Sequence, residues 1–136
     1  MTNEIRVPII TDDDIVIARQ EGRRLAASAG FSSTDLTLIA TAISEVARNI
    51  RLYAGEGHIL LDRVREGAQE GIVVVARDEG PGIPNLELAM QDGYSTGGSS
   101  GLGLPGARRL MDEFDISSNP GRGVTVVMKK WGPAVV

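Results

Sequence analysis

Apolar and polar positions in the first 30 residues change from a strand pattern to a helix pattern. Residues 5–10 are rich in β-branched side chains, but Pro8 has no amide hydrogen for a central ladder, so this segment is predicted to be an edge strand. Thr11 with Asp14 is an acidic capping signal, and Gly30 is a typical residue just past a helix C-terminus. The pattern therefore predicts a first helix between Thr11 and Gly30.

The clearest helical periodicity lies in the next segment. Its apolar residues recur three or four positions apart, at Ile39, Ile43, Val46 and Ile50. A hydroxyl residue at positions 32–34 can cap its start, and Gly55 is expected to end it. This segment is predicted to be a second helix with one face in the core.

The rest of the chain alternates between short β-rich runs and loops rich in glycine and proline. In order, we predict strands at 59–64 and 72–77, a loop at 78–84, a short helix from Asn85 to Met90, a helix at 107–114, and strands at 115–118 and 124–131. Helices would then cover one face of a mixed, mostly antiparallel sheet. The predicted fold class is an α+β two-layer sandwich, formed by a single domain over residues 1–136.

Composition narrows the possible functions. The net charge of -4 disfavours nucleic acid as a partner, because its phosphates require cationic contacts. The chain has no cysteine and one histidine, His58, which excludes disulfides, thiolate zinc sites and His-rich metal sites. His58 is expected to be an ordinary surface residue. No stretch reaches the roughly 20 apolar residues that cross a bilayer, so a cytoplasmic protein without membrane contact is expected.

Two polar residues of the second helix are candidates for chemistry. Glu45 and Asn49 are four residues apart, which places both on one flank of the helix beside the apolar stripe. A carboxylate there could orient a nucleophile, and an amide oxygen is a suitable ligand for Mg²⁺. The alternative is an ordinary solvated pair on a helix surface.

A third candidate lies immediately after the strand predicted at 72–77. Asp78 immediately precedes the loop that contains Gly80 and Gly82, where glycine lets a ligand approach the backbone. A carboxylate at the bottom of a pocket can accept a hydrogen bond from an exocyclic amine such as that of adenine. The alternative is an Asx turn that starts the loop.

A glycine-rich segment precedes the last predicted helix. In Gly101-Leu-Gly-Leu104, amide groups at a helix N-terminus could hold phosphate oxygens, and Ser95 is one of several hydroxyl residues in a loop able to close as a lid. A mobile surface loop is the alternative. Both lysines of the chain lie near its C-terminus, which excludes a P-loop and the usual kinase arrangement of lysine and glycine-rich loop.

Three motifs, taken in order, resemble the N, G1 and G2 boxes of the GHKL, or Bergerat, ATPases. They are Glu45-Val-Ala-Arg-Asn49, Asp78-Glu-Gly-Pro-Gly82 and Gly101-Leu-Gly-Leu104. The segments 43–50, 92–96 and 109–114 are similar to RsbT-type switch kinases, which are relatives of the anti-sigma-factor kinases. The resemblance covers nearly the whole chain, and it implies the GHKL fold, ATP and Mg²⁺ as cofactors, and serine/threonine kinase activity.

The resemblance also implies roles for individual residues. Glu45 would orient or deprotonate the attacking hydroxyl, Asn49 would bind Mg²⁺, and Asp78 would bind adenine N6. The other residues implied to contact the nucleotide are Gly80, Gly82, Ser95, Gly101, Leu102, Gly103, Leu104 and Thr125. Unlike the anti-sigma-factor kinases, the chain has no Arg or Lys between positions 92 and 106. Arg48 is either a substitute for this missing cation or an exposed surface residue.

Protein partners follow from the same resemblance. RsbT-type kinases phosphorylate STAS-domain proteins of the stressosome and, when released, activate a PP2C-type phosphatase, so both partners are expected for this chain. A nucleotide-gated binding module without catalysis is the alternative. A structural domain whose loops are glycine-rich by chance is a third interpretation.

Overall fold

Antiparallel strand pairing defines the architecture of the protein. The computed structural model describes residues 4–83, 85–91, 103–119 and 121–134. The elements in chain order are β1 (Ile5–Ile9), α1 (Asp13–Ser28), α2 (Ser33–Tyr53), β2 (Gly57–Glu66), β3 (Gln69–Asp78), α3 (Leu86–Ala89), α4 (Gly103–Leu110), β4 (Glu113–Asn119) and β5 (Gly123–Ala134). The strands form one sheet in the order β1-β2-β3-β5-β4.

The sheet and the helices form two layers with the core between them. Strand side chains that face the helices are almost fully buried, among them Ile59, Leu61, Ile72, Val74, Val126 and Met128. They pack in one cluster with the apolar stripe of α2. The neighbouring strand positions Leu60, Val75 and Val127 are only half-buried, because successive side chains of a strand point to opposite faces.

This architecture confirms the predicted α+β two-layer class. All four strand pairings are antiparallel, so the predicted mixed sheet contains no parallel pair among the described strands. β1 lies at one edge of the sheet, as Pro8 predicted. No helix in the described part of the chain combines the length and the apolar character needed to cross a membrane.

The ends of α1 and α2 follow the predicted signals. The side chain of Ser32 accepts a hydrogen bond from the Asp35 amide at 3.2 Å and so caps α2. Gly30 follows α1 with a φ of 87°, a left-handed conformation that glycine adopts without strain. Near the start of α1, Asp14 Oδ2 accepts hydrogen bonds from the amides of Ile10 and Thr11, each at 2.9 Å.

The contacts of Asp14 predict an acid-dependent loss of stability. Hydrogen bonds from the amides of Ile10 and Thr11 hold the pKa of the Asp14 carboxyl below its usual 3.8. Because the folded pKa lies below the unfolded one, this stabilisation is present above about pH 4 and is lost as the pH falls through the folded value. We therefore expect Asp14→Asn to flatten the fall in urea-unfolding free energy between about pH 5 and pH 2.

The neighbouring variant Asp13→Asn is the control for this prediction. Asp13 is exposed and accepts no hydrogen bond from the described residues. Its replacement should leave the acid dependence of unfolding as in the wild type. An Asp14→Asn variant with the same acid dependence as the wild type would contradict the prediction.

The predicted helix over 107–114 is wrong in its bounds. The structure begins α4 at Gly103, ends it at Leu110 and places Phe114 in β4. The helix ends there because the following chain joins the sheet, where the Asp112 amide donates to the Lys129 carbonyl at 2.9 Å. Lys130 Nζ also donates to the Leu110 carbonyl at 2.9 Å and so satisfies one carbonyl at the helix C-terminus. Long-range pairing therefore overrides the helical spacing of the apolar residues.

Candidate functional site

Asp78 is a buried carboxylate fixed at the end of β3. Its residue is 5% exposed. Oδ1 accepts hydrogen bonds from the Gly80 amide at 2.9 Å and from the Val124 amide at 3.2 Å. The hydrogen bond from the Gly80 amide forms an Asx-type turn, so the alternative interpretation of Asp78 as the start of an Asx turn is correct for the local structure. The second contact ties the same oxygen to β5, and both together hold the carboxylate in one orientation.

The loop after Asp78 packs closely against two other elements. A Cβ added at Gly80 would lie 2.5 Å from the Ala54 Cβ, so this part of the loop touches the end of α2. Gly82 has a φ of 85°, and its Cβ position would lie 3.0 Å from the Asn119 carbonyl. The Ile83 amide donates to Ser118 Oγ at 2.7 Å. Glycine is therefore required at both loop positions by the close approach of α2 and the end of β4.

Glu45 and Asn49 lie on the buried side of α2. They are 7% and 9% exposed, so the interpretation as a solvated surface pair is wrong. Glu45 Oε1 accepts from Arg48 Nη1 at 2.8 Å, and Oε2 accepts from the Gly103 amide, also at 2.8 Å. The carboxylate of α2 therefore contacts the first residue of α4.

α4 presents its N-terminus to Glu45. Gly103 has a φ of 69°, Leu104 is buried, and Ala107 is fully buried where α4 packs on α2. The first amides of a helix have no intrahelical acceptor and carry a partial positive charge, so they attract anionic groups. Three other predicted contacts, Ser95, Gly101 and Leu102, lie outside the described residues.

Helix α2 contacts both of the other elements that carry candidate residues. Glu45 of α2 contacts the start of α4 through the Gly103 amide. Towards the C-terminal end of α2, a Cβ placed at Gly57 would lie 2.9 Å from Ile50 Cγ2 and 3.0 Å from the Asp78 Cβ. Asp78 therefore lies close to the residue that follows Asn49 in the sequence, and α2 contacts both the end of β3 and the start of α4.

The side chain of Thr125 does not lie with the other candidate residues. It pairs with the exposed Arg77 across β3 and β5, whereas the buried Val124 is next to it and opposite Asp78 in the ladder. Adjacent strand residues point to opposite faces, so the Thr125 side chain lies on the face away from the helices. The backbone of Val124 takes the place beside Asp78 that the Thr125 hydroxyl was expected to have. The reason is the strand register, which the sequence does not reveal.

The histidine has a different environment from the one expected. His58 is half-buried in β2 and lines an open cavity of about 540 Å³ together with Arg6 and Arg77, and with the acidic Glu56 and Glu79. Burial, followed by the charges of Arg6 and Arg77, lowers the pKa of the imidazole from its usual 6.5. These surroundings therefore favour the neutral form of the imidazole.

The donor groups of the described residues limit how a metal ion could be held. Within the described ranges, no group of three or more histidine, aspartate and glutamate residues could hold a metal ion. Mg²⁺, however, is usually bound through one or two protein ligands, with phosphates and water completing the octahedron. The buried side-chain amide of Asn49, one helical turn from Glu45, fits this mode.

The fold and these three motifs define a class of ATP-binding proteins. The chain belongs to the histidine kinase-like ATPase domain family, whose sequence pattern matches residues 11–130. It is 48% identical over 131 residues to the serine/threonine-protein kinase RsbT of Bacillus subtilis (strain 168), covering 96% of this chain and 98% of the relative. It is also 34% identical over 97 residues to an anti-sigma F factor of Caldanaerobacter subterraneus, covering 68% of each chain.

Two solved structures show the same fold at low sequence identity. The RsbU and RsbW domains of a Mycobacterium tuberculosis protein superpose with a TM-score of 0.63 at 19% identity, covering 98% of this chain and 34% of that one. The mycobacterial sensor histidine kinase MprB superposes with a TM-score of 0.53 at 14% identity, covering 99% of this chain and all of that one. The comparisons confirm the predicted ATPase family and the resemblance to RsbT, and the family implies ATP as the cofactor.

Proposed function

We propose that the chain is an ATP-dependent serine/threonine protein kinase that phosphorylates STAS-domain proteins and, when released from them, activates a PP2C-type phosphatase. The observation that carries this proposal is the buried carboxylate of Glu45, which contacts the N-terminus of α4 and lies one turn from Asn49. The 48% identity to a serine/threonine-protein kinase over almost the whole chain supports the same activity.

We assign the nucleotide to α2 and the two elements that contact it, the loop after β3 and the start of α4. Oδ1 of Asp78 is used within the protein, so we assign Oδ2 to the exocyclic amine of adenine. Gly80 and Gly82 shape the base pocket, and the amides at Gly103 and Leu104 hold phosphate oxygens at the positive end of α4. Ser95, Gly101 and Leu102 remain predicted contacts.

Phosphoryl transfer needs a base next to the acceptor hydroxyl. In our proposal Glu45 accepts the proton of a partner's Ser or Thr hydroxyl while the oxygen attacks the γ-phosphorus and the bond to the ADP oxygen breaks. Asn49 holds Mg²⁺, which neutralises phosphate charge when bound. The helix amides at Gly103 orient the triphosphate, so the protein contributes mainly positioning and electrostatics.

The transfer reaction is the direct test of this function. The chain is incubated with radiolabelled ATP, Mg²⁺ and a STAS-domain protein, and label on Ser or Thr of that protein is mapped. We expect stoichiometric labelling of the partner and none without it. ATP binding without any transfer of label would contradict the kinase and favour the non-catalytic binding module.

A separate variant tests the base pocket. Asp78→Asn keeps an oxygen that can accept from the Gly80 and Val124 amides, but it places an amide donor where the adenine amine needs an acceptor. An unmatched polar contact of this kind costs about 1–3 kcal/mol, so calorimetry should show ATP binding weakened about 5- to 150-fold.

The control for the base pocket is Asp115→Asn. Asp115 is exposed on β4, and ATP affinity should not change with its replacement. Wild-type affinity in a folded Asp78→Asn variant would remove Asp78 from the proposed pocket.

A further inference from the structure

Arg48 reaches from the protein surface to the buried acid of α2. Its side chain is 44% exposed, whereas that of Glu45 is 8% exposed, and Nη1 lies 2.8 Å from Glu45 Oε1. The two residues are three positions apart on α2, a spacing at which helical side chains meet. Arg48 is therefore neither a purely solvent-exposed arginine nor a free cation.

The carboxylate of Glu45 is held from two sides by different elements. Arg48 binds Oε1 from within α2, and the amide of Gly103 binds Oε2 from α4. A glutamate side chain loses substantial rotamer freedom when it is fixed, and hydrogen bonds to a charged group are about twice as strong as neutral ones. Two such bonds in different directions restrict the carboxylate to a single orientation.

We propose that Arg48 is a positioning residue for Glu45 and that this contact sets the efficiency of phosphoryl transfer. The inference rests on the proposed kinase function. In the kinase reaction the Gly103 amide is assigned to phosphate and Oε2 to the acceptor hydroxyl, so the bond from Gly103 to Oε2 is given up. The bond from Arg48 to Oε1 keeps the carboxylate in place during this exchange. Arg48 acts through Glu45 and does not touch the phosphates.

Kinetics with two variants of Arg48 test the proposal. Arg48→Gln removes the cation, and we expect kcat for transfer to a STAS-domain protein to fall about tenfold, since small displacements of a reacting group are costly. The KM and the calorimetric Kd for ATP should stay within about twofold of the wild type, because only the transition state uses the base. Arg48→Lys keeps the charge, and because the contact is a single hydrogen bond and not a bidentate pair, kcat should recover to within about threefold of the wild type.

A double variant and a surface control complete the design. Arg48→Gln should have no further effect in a Glu45→Gln background, because residues that act as one unit are not additive. Arg65→Gln is the control, because Arg65 is exposed on the β2–β3 hairpin and its Nε donates only to the Gly67 carbonyl among the described residues. It should leave kcat unchanged.

The amide resonance of Gly103 gives a readout that needs no substrate. The Gly103 amide proton is hydrogen-bonded to Glu45 Oε2. A reoriented carboxylate in Arg48→Gln should therefore shift this resonance, whereas Arg65→Gln should leave it unchanged. Unchanged kcat and an unchanged Gly103 resonance in Arg48→Gln would overturn the inference while wild-type transfer continues. A rise in the KM and Kd for ATP would overturn it too, in favour of direct phosphate contact. A wild-type chain that binds ATP and transfers nothing would overturn the proposed function and the inference together.

Discussion

Replacing Glu45 by Gln is expected to lower phosphoryl transfer by about 10²- to 10⁴-fold, the usual contribution of a positioned base. Gln has nearly the same shape, and its carbonyl oxygen can still accept from the Gly103 amide. The fold and ATP binding should therefore be retained, while the group that accepts the hydroxyl proton is lost. Transfer of label to a STAS-domain protein and calorimetry with ATP measure the two effects separately.

The same variant distinguishes a kinase from a nucleotide-gated binding module. The similarity to anti-sigma F factors and the missing cation between positions 92 and 106 keep the second function in view. A binding module should retain full partner capture and release in Glu45→Gln. Glu70→Gln is the control, because Glu70 forms an ion pair with Arg63 on the β2–β3 hairpin away from α4. Transfer at the wild-type rate in Glu45→Gln would exclude Glu45 as the base.

Gly123→Ala is expected to produce the largest loss of stability. Gly123 has a φ of 96°, and an added Cβ would lie 2.1 Å from the Asp78 carbonyl oxygen and 2.7 Å from its carbon. The left-handed backbone costs about 1–2 kcal/mol and overpacking about 1–3 kcal/mol, so the unfolding free energy should fall by about 2–5 kcal/mol. Urea unfolding followed by circular dichroism measures this change.

Gly121→Ala is a matched control for the steric part of this effect. Gly121 also has a positive φ, 76°, but an added Cβ would meet nothing within 4 Å. Only the conformational cost of about 1–2 kcal/mol is expected there. Equal losses of unfolding free energy in the two variants would show that the close approach of Gly123 to Asp78 does not affect stability. A larger loss of stability in Gly123→Ala would show that β5 supports the end of β3 that carries Asp78.

Local signals predicted the elements whose causes are local. The apolar stripe of α2, the Ser32 cap and the glycine after α1 depend on residues a few positions apart, and the structure has all three. The order of the three motifs along the chain predicted the family. The spacing of Arg48 and Glu45 was also visible in the sequence, and an i,i+3 pair of opposite charge is a signal that would have identified their contact.

Features that depend on strand pairing could not be predicted from local sequence signals. Met111 and Phe114 continue a helical spacing, yet pairing of β4 with β5 places Phe114 in a strand. Thr125 was assigned to the base pocket by its motif, but a change of one position along a strand reverses the face of the side chain. The support of Asp78 by Val124 joins residues 46 positions apart, and the sequence contains no local sign of it.

The position of Pro8 in the outermost strand has a consequence for self-association. An open sheet edge offers unpaired amides and carbonyls to any extended segment that meets it, including the same edge of a second molecule. Proline in β1 removes one donor from the row, so fibril-like growth by strand addition is disfavoured on this side of the sheet. Among the described strands, the opposite border at β4 lacks proline, and charged side chains at Glu113 and Asp115 discourage edge-to-edge aggregation there.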